Sequence, residues 1–391
     1  MRKFFFSAAI LCCICTGASA QEQEKVEQLD SVIVAVSRAG KNTPVTYTYV
    51  SKEELRESAP GRSLPMILSL QPSVVAVNEG GTGLGYSKMT VRGSKGSQIN
   101  VTLNGITLND SESQEVFWVN IPGLDNILGS VQLQRGLGTS ANGAGAFGAS
   151  VNMSTAYVSP NPFSCIDLNA GSYNTRGMSF AAGSGLLDNG LYASLGVTLS
   201  GTDGYIRNAW ADVRSFIGVL GWMHGNNSVK FTLLSGKQHT GITWEGIPAS
   251  MMASERTFNP AGEYTDADGN TAYYDNESDN YLQTHFQLNY THQFSSPITW
   301  STTINYTMGE GYYEQYKAGK KYGKYGLNHS GKGDFITRKQ MDNGYTVLNS
   351  TVKYKKEALD LAGGLYLSYY DGDHFGNVIW DSADGNTDFE W

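Results

Sequence analysis

Leu282-Gln283-Thr284-His285-Phe286-Gln287-Leu288-Asn289-Tyr290-Thr291-His292-Gln293-Phe294 alternates in character from end to end. Leu282, Thr284, Phe286, Leu288, Tyr290, His292 and Phe294 form one set; Gln283, His285, Gln287, Asn289, Thr291 and Gln293 form the other. Successive side chains of a strand point to opposite faces, so this is a strand with one face suited to lipid and one suited to water. The split recurs at once, with Ile298, Trp300, Thr302, Ile304, Tyr306 and Met308 opposed to Thr299, Ser301, Thr303, Asn305 and Thr307. Both runs reach the roughly 9–11 residues that a tilted strand needs to cross a bilayer.

Outward from this pair, further strands are expected at 163–171, 176–184, 190–200, 213–224, 228–237, 344–356 and 359–370, about nine in all. The links between them alternate. Gly185–Asn189, Gly225–Asn227, Ser295–Ser296 and Glu357–Ala358 are short, whereas 201–212, 238–280, 310–343 and 371 onward are long. A secreted β-sandwich has no reason to alternate strictly in this way; an outer-membrane barrel has short periplasmic turns and long external loops. Residues 160–391 are therefore expected to form antiparallel transmembrane β-barrel strands.

Composition agrees. The chain has 391 residues, 46 Gly, 23 Tyr and only 16% charged residues, with a mean hydropathy of -0.30, which excludes a helical membrane protein and a disordered acidic tail. The formal charge of -8 disfavours a nucleic-acid partner. Tyr and Trp concentrate after residue 160, which marks a boundary near that point.

Residues 1–20 read as a signal peptide: Arg2-Lys3, an apolar run from Phe4 to Cys15, and Ala18-Ser19-Ala20 before Gln21. Cleavage after Ala20 leaves one cysteine, Cys165, and no intramolecular disulfide. Residues 21–40 form a periplasmic segment, and 41–159 a compact α+β unit. Within it Ser51-Lys52-Glu53-Glu54 is a capping box opening a short helix. Leu64, Ile67 and Leu68 suggest a second helix stopped before Pro72. Asn104-Gly105 between two apolar triplets is a hairpin signal, and Val131–Leu133 and Val151–Met153 add short strands. Such a unit can fill the lumen of a large barrel.

From Asp30 to Thr155 the chain resembles the N-terminal region of TonB-dependent outer-membrane transporters of the siderophore or iron type. The matching pieces are Asp30-Ser31-Val32-Ile33-Val34 (like the TonB box), Val91-Arg92-Gly93, Val101–Ile106, Arg135-Gly136 and Gly143–Thr155. The resemblance implies an α+β N-terminal plug followed by antiparallel transmembrane β-barrel strands, about nine of an expected 22 or so, and hence an incomplete barrel. It also implies that Asp30–Val34 binds TonB, with its inner-membrane energising complex, by adding a strand to a partner sheet. The implied partners are TonB, outer-membrane lipid and a small chelate such as a ferric siderophore. The family carries a Glu-Arg pair and a further Glu before its Arg-Gly, whereas this chain has Gly129, Ser130 and Gln132 there. Arg92 and Arg135 are then the candidate plug–barrel contacts, buried against barrel carboxylates, or else simply exposed at strand ends.

Plug loops at the barrel mouth touch ligand in this family, so Gly81, Gly83, Leu84 and Tyr86, with Ser111, Glu112, Phe117 and Trp118, are the candidate substrate contacts. Gly80–Gly85 reads as a flexible loop. Gly143-x-Gly145-x-x-Gly148 matches a dinucleotide fingerprint in letters, but Ala149–Met153 after it reads as a strand and not a helix, so tight turns in the plug are expected there and not a nucleotide site. No catalytic or metal constellation stands out and no cofactor is expected. Asp266–Asn270 offers oxygen atoms to calcium, yet Ala267–Thr271 recurs as Ala383–Thr387, which favours a repeated turn. Trp244, Tyr264, Tyr273, Tyr274, Tyr312, Tyr313 and Tyr316 are placed in two long loops, where they can stack on a catecholate or a porphyrin, or equally form the interfacial girdle. The expected function is energised import of a scarce chelate, a ferric siderophore or other iron complex. A haem or cobalamin importer, or a passive pore or adhesin, is the alternative. Nothing points to an enzyme.

Overall fold

The computed structural model describes residues 38–40, 45–58, 62–124, 128–137, 147–155, 159–294, 297–357 and 359–391. The signal peptide, Asp30–Val34, and Gly143 and Gly145 lie outside the described residues.

The plug comprises β1 (Thr46–Ser51), α1 (Lys52–Ser58), α2 (Leu64–Leu68), β2 (Val74–Asn78), β3 (Ser87–Val91), β4 (Ile99–Leu103), β5 (Ile106–Thr107), β6 (Leu128–Arg135) and β7 (Ala149–Thr155). The capping box closes as expected: Ser51 N donates to Glu54 Oε2 at 2.8 Å and Glu54 N to Ser51 Oγ at 3.2 Å. Asn104 and Gly105 turn the β4–β5 hairpin with φ of 52° and 81°, the left-handed pair that a two-residue turn requires. One sheet takes the order β1-β6-β7-β4-β5, with β4 and β7 parallel, and β2–β3 form a separate hairpin. Strands β1, β2 and β3 are additions to the sequence reading.

The wall is a ten-stranded antiparallel sheet in the order β19-β18-β17-β16-β15-β12-β11-β10-β9-β8. Its strands are β8 (Phe163–Ala170), β9 (Arg176–Gly183), β10 (Leu191–Thr202), β11 (Ala211–His224), β12 (Asn227–Gly241), β15 (Ser278–Gln293), β16 (Ile298–Lys321), β17 (Lys332–Lys356), β18 (Leu359–Asp381) and β19 (Gly385–Glu390). A small hairpin, β13 (Glu263–Thr265) and β14 (Thr271–Tyr273), sits in the long link before β15. Among the described residues β8 and β19 are unpaired on their outer sides, so the sheet is open. No helix of the described residues is long and apolar enough to cross a membrane.

Burial in the wall is inverted relative to a water-soluble protein. Leu288 and Ile304, cross-strand neighbours, are 43% and 49% exposed, while Gln287 and Asn305, the neighbouring pair, are 1% and 0%. The polar face points at the plug and the apolar face points outward. The packed core accordingly lies in the plug and where it meets the wall: Leu55, Leu68, Leu103, Leu133 and Met153 cluster with Ile217, Val219 and Leu234. Close approach is bought with small residues; a Cβ on Gly236 of β12 would fall 2.8 Å from Asn120 O of the plug.

Strand length differs from expectation at the long-link ends. The expected link 310–343 shrinks to 322–331, and the stretch after 371 completes β18 and turns into β19, a tenth strand too short to span a bilayer. Above the apolar band the alternation fades, because paired strands in water need no lipid-facing side. Their contacts are polar and aromatic instead. Arg338 donates to Glu314 at 2.7 Å and stacks over Tyr312, 4.4 Å from the ring centre. Tyr312, Tyr313 and Tyr316 thus stand on β16, not in a loop.

Candidate functional site at the plug apex

Two plug loops rise to the end of the wall that carries the long links. The first, Asn78–Ser87, is fastened rather than loose. Asn78 Nδ2 donates to the carbonyls of Leu84 (2.9 Å) and Tyr86 (3.0 Å), and its Oδ1 accepts from Gly83 N at 2.9 Å. Gly81 and Gly83 have φ of 81° and 90°, conformations open to glycine and costly for other residues. Tyr205 N donates to Gly80 O at 2.9 Å, pinning the loop to the link after β10.

At the tip of this loop the Tyr86 hydroxyl donates to the Asp279 carboxylate at the start of β15, which also accepts from Gln238 Nε2 at 2.9 Å. Burial, reinforced by the Asp279 charge, pushes the Tyr86 phenol well above its ordinary value and keeps it a proton donor. The Tyr86 ring meets Trp244 edge to face at 5.4 Å, and Trp244 meets Tyr313 in the same way at 5.7 Å. Lys339 Nζ lies 5.8 Å from the Tyr313 ring centre. One cation and three rings from plug, link and wall therefore line one side of the mouth.

The second loop, Asn109–Trp118, is held by Asn109, whose Nδ2 donates to Ile99 O (2.9 Å) and Gln114 O (2.8 Å). Glu112 Oε1 accepts from Tyr370 Oη at 3.0 Å and faces His374 Nε2 at 2.9 Å, both on β18. Beneath the loop, Ser111, Phe117, His285 and Tyr370 border a cleft of about 60 Å³. That is small beside the roughly 300–1,000 Å³ of ligand pockets.

Of the expected contacts, Gly81, Gly83, Tyr86, Ser111, Glu112 and Phe117 all sit in the two apical loops. Leu84 and Trp118 do not face the mouth. Leu84 is buried against Ala211 and Val213, and Trp118 is only 6% exposed in the plug core, because each apolar side chain follows the nearest dry surface. Arg92 and Arg135, expected to reach the wall, donate to plug atoms instead. Arg135 serves Pro72 O (2.8 Å) and Thr48 Oγ1 (2.6 Å), and Arg92 serves Arg135 O (3.4 Å), because these acceptors lie within reach on the plug itself. An ion pair from plug to wall joins Arg56 and Asp167 at 2.8 Å. Asp266 and Asp381 each cap a turn: Asp266 Oδ1 accepts from Asp268 N and Asn270 N, and Asp381 Oδ1 from Ala383 N and Asp384 N. Asp279, Tyr370 and His374 were not foreseen. The inward parity of Thr303, Asn305 and Thr307, extended upward, would have placed Tyr313 on the lumen side.

Residues 39–150 match the family model of the TonB-dependent Receptor Plug Domain. Among curated protein sequences none matches. Solved structures do: the siderophore receptor PiuA from Acinetobacter baumannii, at 18% identity and a TM-score of 0.62, covers 89% of this chain and 48% of its own. The ferric-catecholate import receptor Fiu from E. coli K12, at 14% and 0.64, covers 90% and 50%. The copper transporter OprC, at 13% and 0.63, covers 88% and 49%. At these identities the likeness is one of fold, and the chain spans about half the length of each. A plug with its own five-stranded sheet, a wall whose polar face grips it, and the family match over the plug give one answer: the chain carries a TonB-dependent receptor plug domain at residues 39–150, followed by barrel strands in the fold of the receptors it resembles.

Proposed function

We propose that the chain serves energised import of a scarce metal chelate through the outer membrane, with a ferric siderophore of catecholate type as cargo. The observation that carries the reading is the mouth formed by Tyr86, Trp244 and Tyr313 with Lys339 beside it, above a plug hydrogen-bonded to the wall. Rings stack on a planar aromatic chelator and an ammonium group offsets its negative charge, each contact contributing about 0.5–1.5 kcal/mol. A passive pore gains nothing from a plug tied to its wall at Asn104, Tyr86 and Arg56. Energy comes from TonB, which takes Asp30–Val34 as an added strand. The similarity to receptors named for siderophores and ferric catecholates supports this cargo class. The test is equilibrium binding of a ferric tris-catecholate to receptor in outer membranes. Trp244→Ala and Tyr313→Ala should each weaken it about tenfold. Unchanged binding in both would remove the aromatic mouth as the cargo site.

A further inference from the structure

Immediately after the TonB-box-like stretch, Arg38 and Ala39 are fastened to the middle of the plug sheet. Gln132, 4% exposed on β6, pairs with Ala39 in both directions: Ala39 N donates to its Oε1 at 2.7 Å and its Nε2 donates to Ala39 O at 2.9 Å. The side-chain amide thus replaces a neighbouring strand, and Gln134 Nε2, 2.9 Å from Gln132 Oε1, fixes its orientation. Arg38 donates from Nη1 to Ser130 Oγ (2.8 Å) and from Nη2 to Ser130 O (3.1 Å) and Asn152 O (2.9 Å). Its guanidinium lies over Tyr49, 5.9 Å from the ring centre. Ser130 and Gln132 are two of the three positions where this chain departs from the charged pattern of the family it resembles, and the amide at 132 is what the pairing needs. A carboxylate there could accept from Ala39 N but could not donate to Ala39 O.

We propose that this clamp, Arg38 and Ala39 held by Ser130, Gln132 and Asn152, is the joint through which a pull on the preceding segment is delivered to the centre of the plug sheet. The proposal rests on the reading above that the segment at Asp30–Val34 is pulled. β1 is an edge strand and β6 its inner neighbour. Without the clamp, the six residues 40–45 would first be drawn taut, roughly 20 Å of chain. The load would then fall on Thr46, at one end of β1, and could unzip that edge bond by bond. With the clamp, the load enters at β6, between β1 and β7, and the sheet has to shear.

The experiment is single-molecule pulling on the receptor in lipid, through the soluble periplasmic domain of TonB and, separately, through a tag placed before residue 30. Wild type should show no extension before the plug yields. Arg38→Ala and Gln132→Glu should each add an early, low-force step of at most roughly 20 Å, with Arg38→Lys intermediate. Variant traces that overlay the wild type through the tag would overturn the clamp. Failure of the TonB domain to attach to wild type would overturn the importer reading while the tag still tests the clamp. Should Gln132→Glu fail to fold, Arg38→Ala, altered outside the sheet, carries the comparison alone.

Discussion

Asn104 of the plug hairpin donates from Nδ2 to Oε1 of Gln287 in the wall at 3.0 Å, and both side chains are buried. The same Asn104 accepts at Oδ1 from Thr155 N (3.0 Å) and Thr155 Oγ1 (3.2 Å), and Asn349 Nδ2 of β17 donates to the adjoining Gly105 O at 3.0 Å. One turn therefore joins two plug strands to two wall strands.

Asn104→Leu should release the plug. The substitution leaves buried partners unsatisfied, at about 1–3 kcal/mol, and places a branched residue at a left-handed φ of 52°. Limited proteolysis of the membrane-embedded receptor should cut the plug earlier than in wild type. Asn104→Gly, which tolerates the backbone, should lie between. Identical cleavage of Asn104→Leu and wild type would show that this turn does not hold the plug.

Leu288→Arg should oppose membrane insertion. Leu288 lies in the middle of the outward apolar band of β15, where a cation costs about 2–4 kcal/mol near the bilayer midplane. Gln287→Ala, one residue away on the inner face, should leave insertion intact. Heat-modifiable migration from outer-membrane fractions measures both. Equal yields for Leu288→Arg and wild type would contradict a lipid-facing band.

The division of β15 and β16 into faces is legible in the sequence because lipid and plug make opposite demands on alternate residues, and Leu288 and Gln287 record them. The Asn104-Gly105 turn is legible because few residue pairs accept its backbone. The tops of β16, β17 and β18 are not. There Glu310 is exposed, while Tyr312 and Glu314 are engaged by Arg338 of the neighbouring strand and not by lipid, so polar and aromatic contacts replace the apolar period. Of the site, the two plug loops are legible through the family resemblance. Their partners Asp279, Tyr370 and His374 lie more than 150 residues away, and no local pattern links them.

Val32→Pro should abolish energised uptake while leaving cargo binding unchanged. Proline removes a backbone donor from a segment expected to pair as a strand, and it cannot continue a ladder there. Uptake of a labelled ferric catecholate, compared with its equilibrium binding on the same cells, separates the two. Wild-type uptake by the mutant would exclude Asp30–Val34 as the TonB-binding strand.

The clasp between Glu112 and β18 should respond to acid and not to alkali. His374 Nε2 faces a carboxylate oxygen and so serves as a donor; its hydrogen bond, joined by that of Tyr370, holds the Glu112 carboxyl below the usual carboxylate range. A folded-state value below the unfolded one, which is about 4.3, contributes stability above that pH and loses it as pH falls through the folded value. The clasp is therefore complete at pH 7 and should open only below about pH 4. Glu112 and His374 are both about half exposed, so screening keeps the contribution within about 1 kcal/mol, enough to order a loop tip but not the plug. A spin label at Ser113 should gain mobility between pH 5 and pH 3 in wild type, and should already be mobile at pH 7 in Glu112→Gln paired with His374→Ala. A label equally mobile in the double variant and in wild type at pH 7 would mean that Asn109 and Asp110 alone order the loop and that the contact with β18 is incidental.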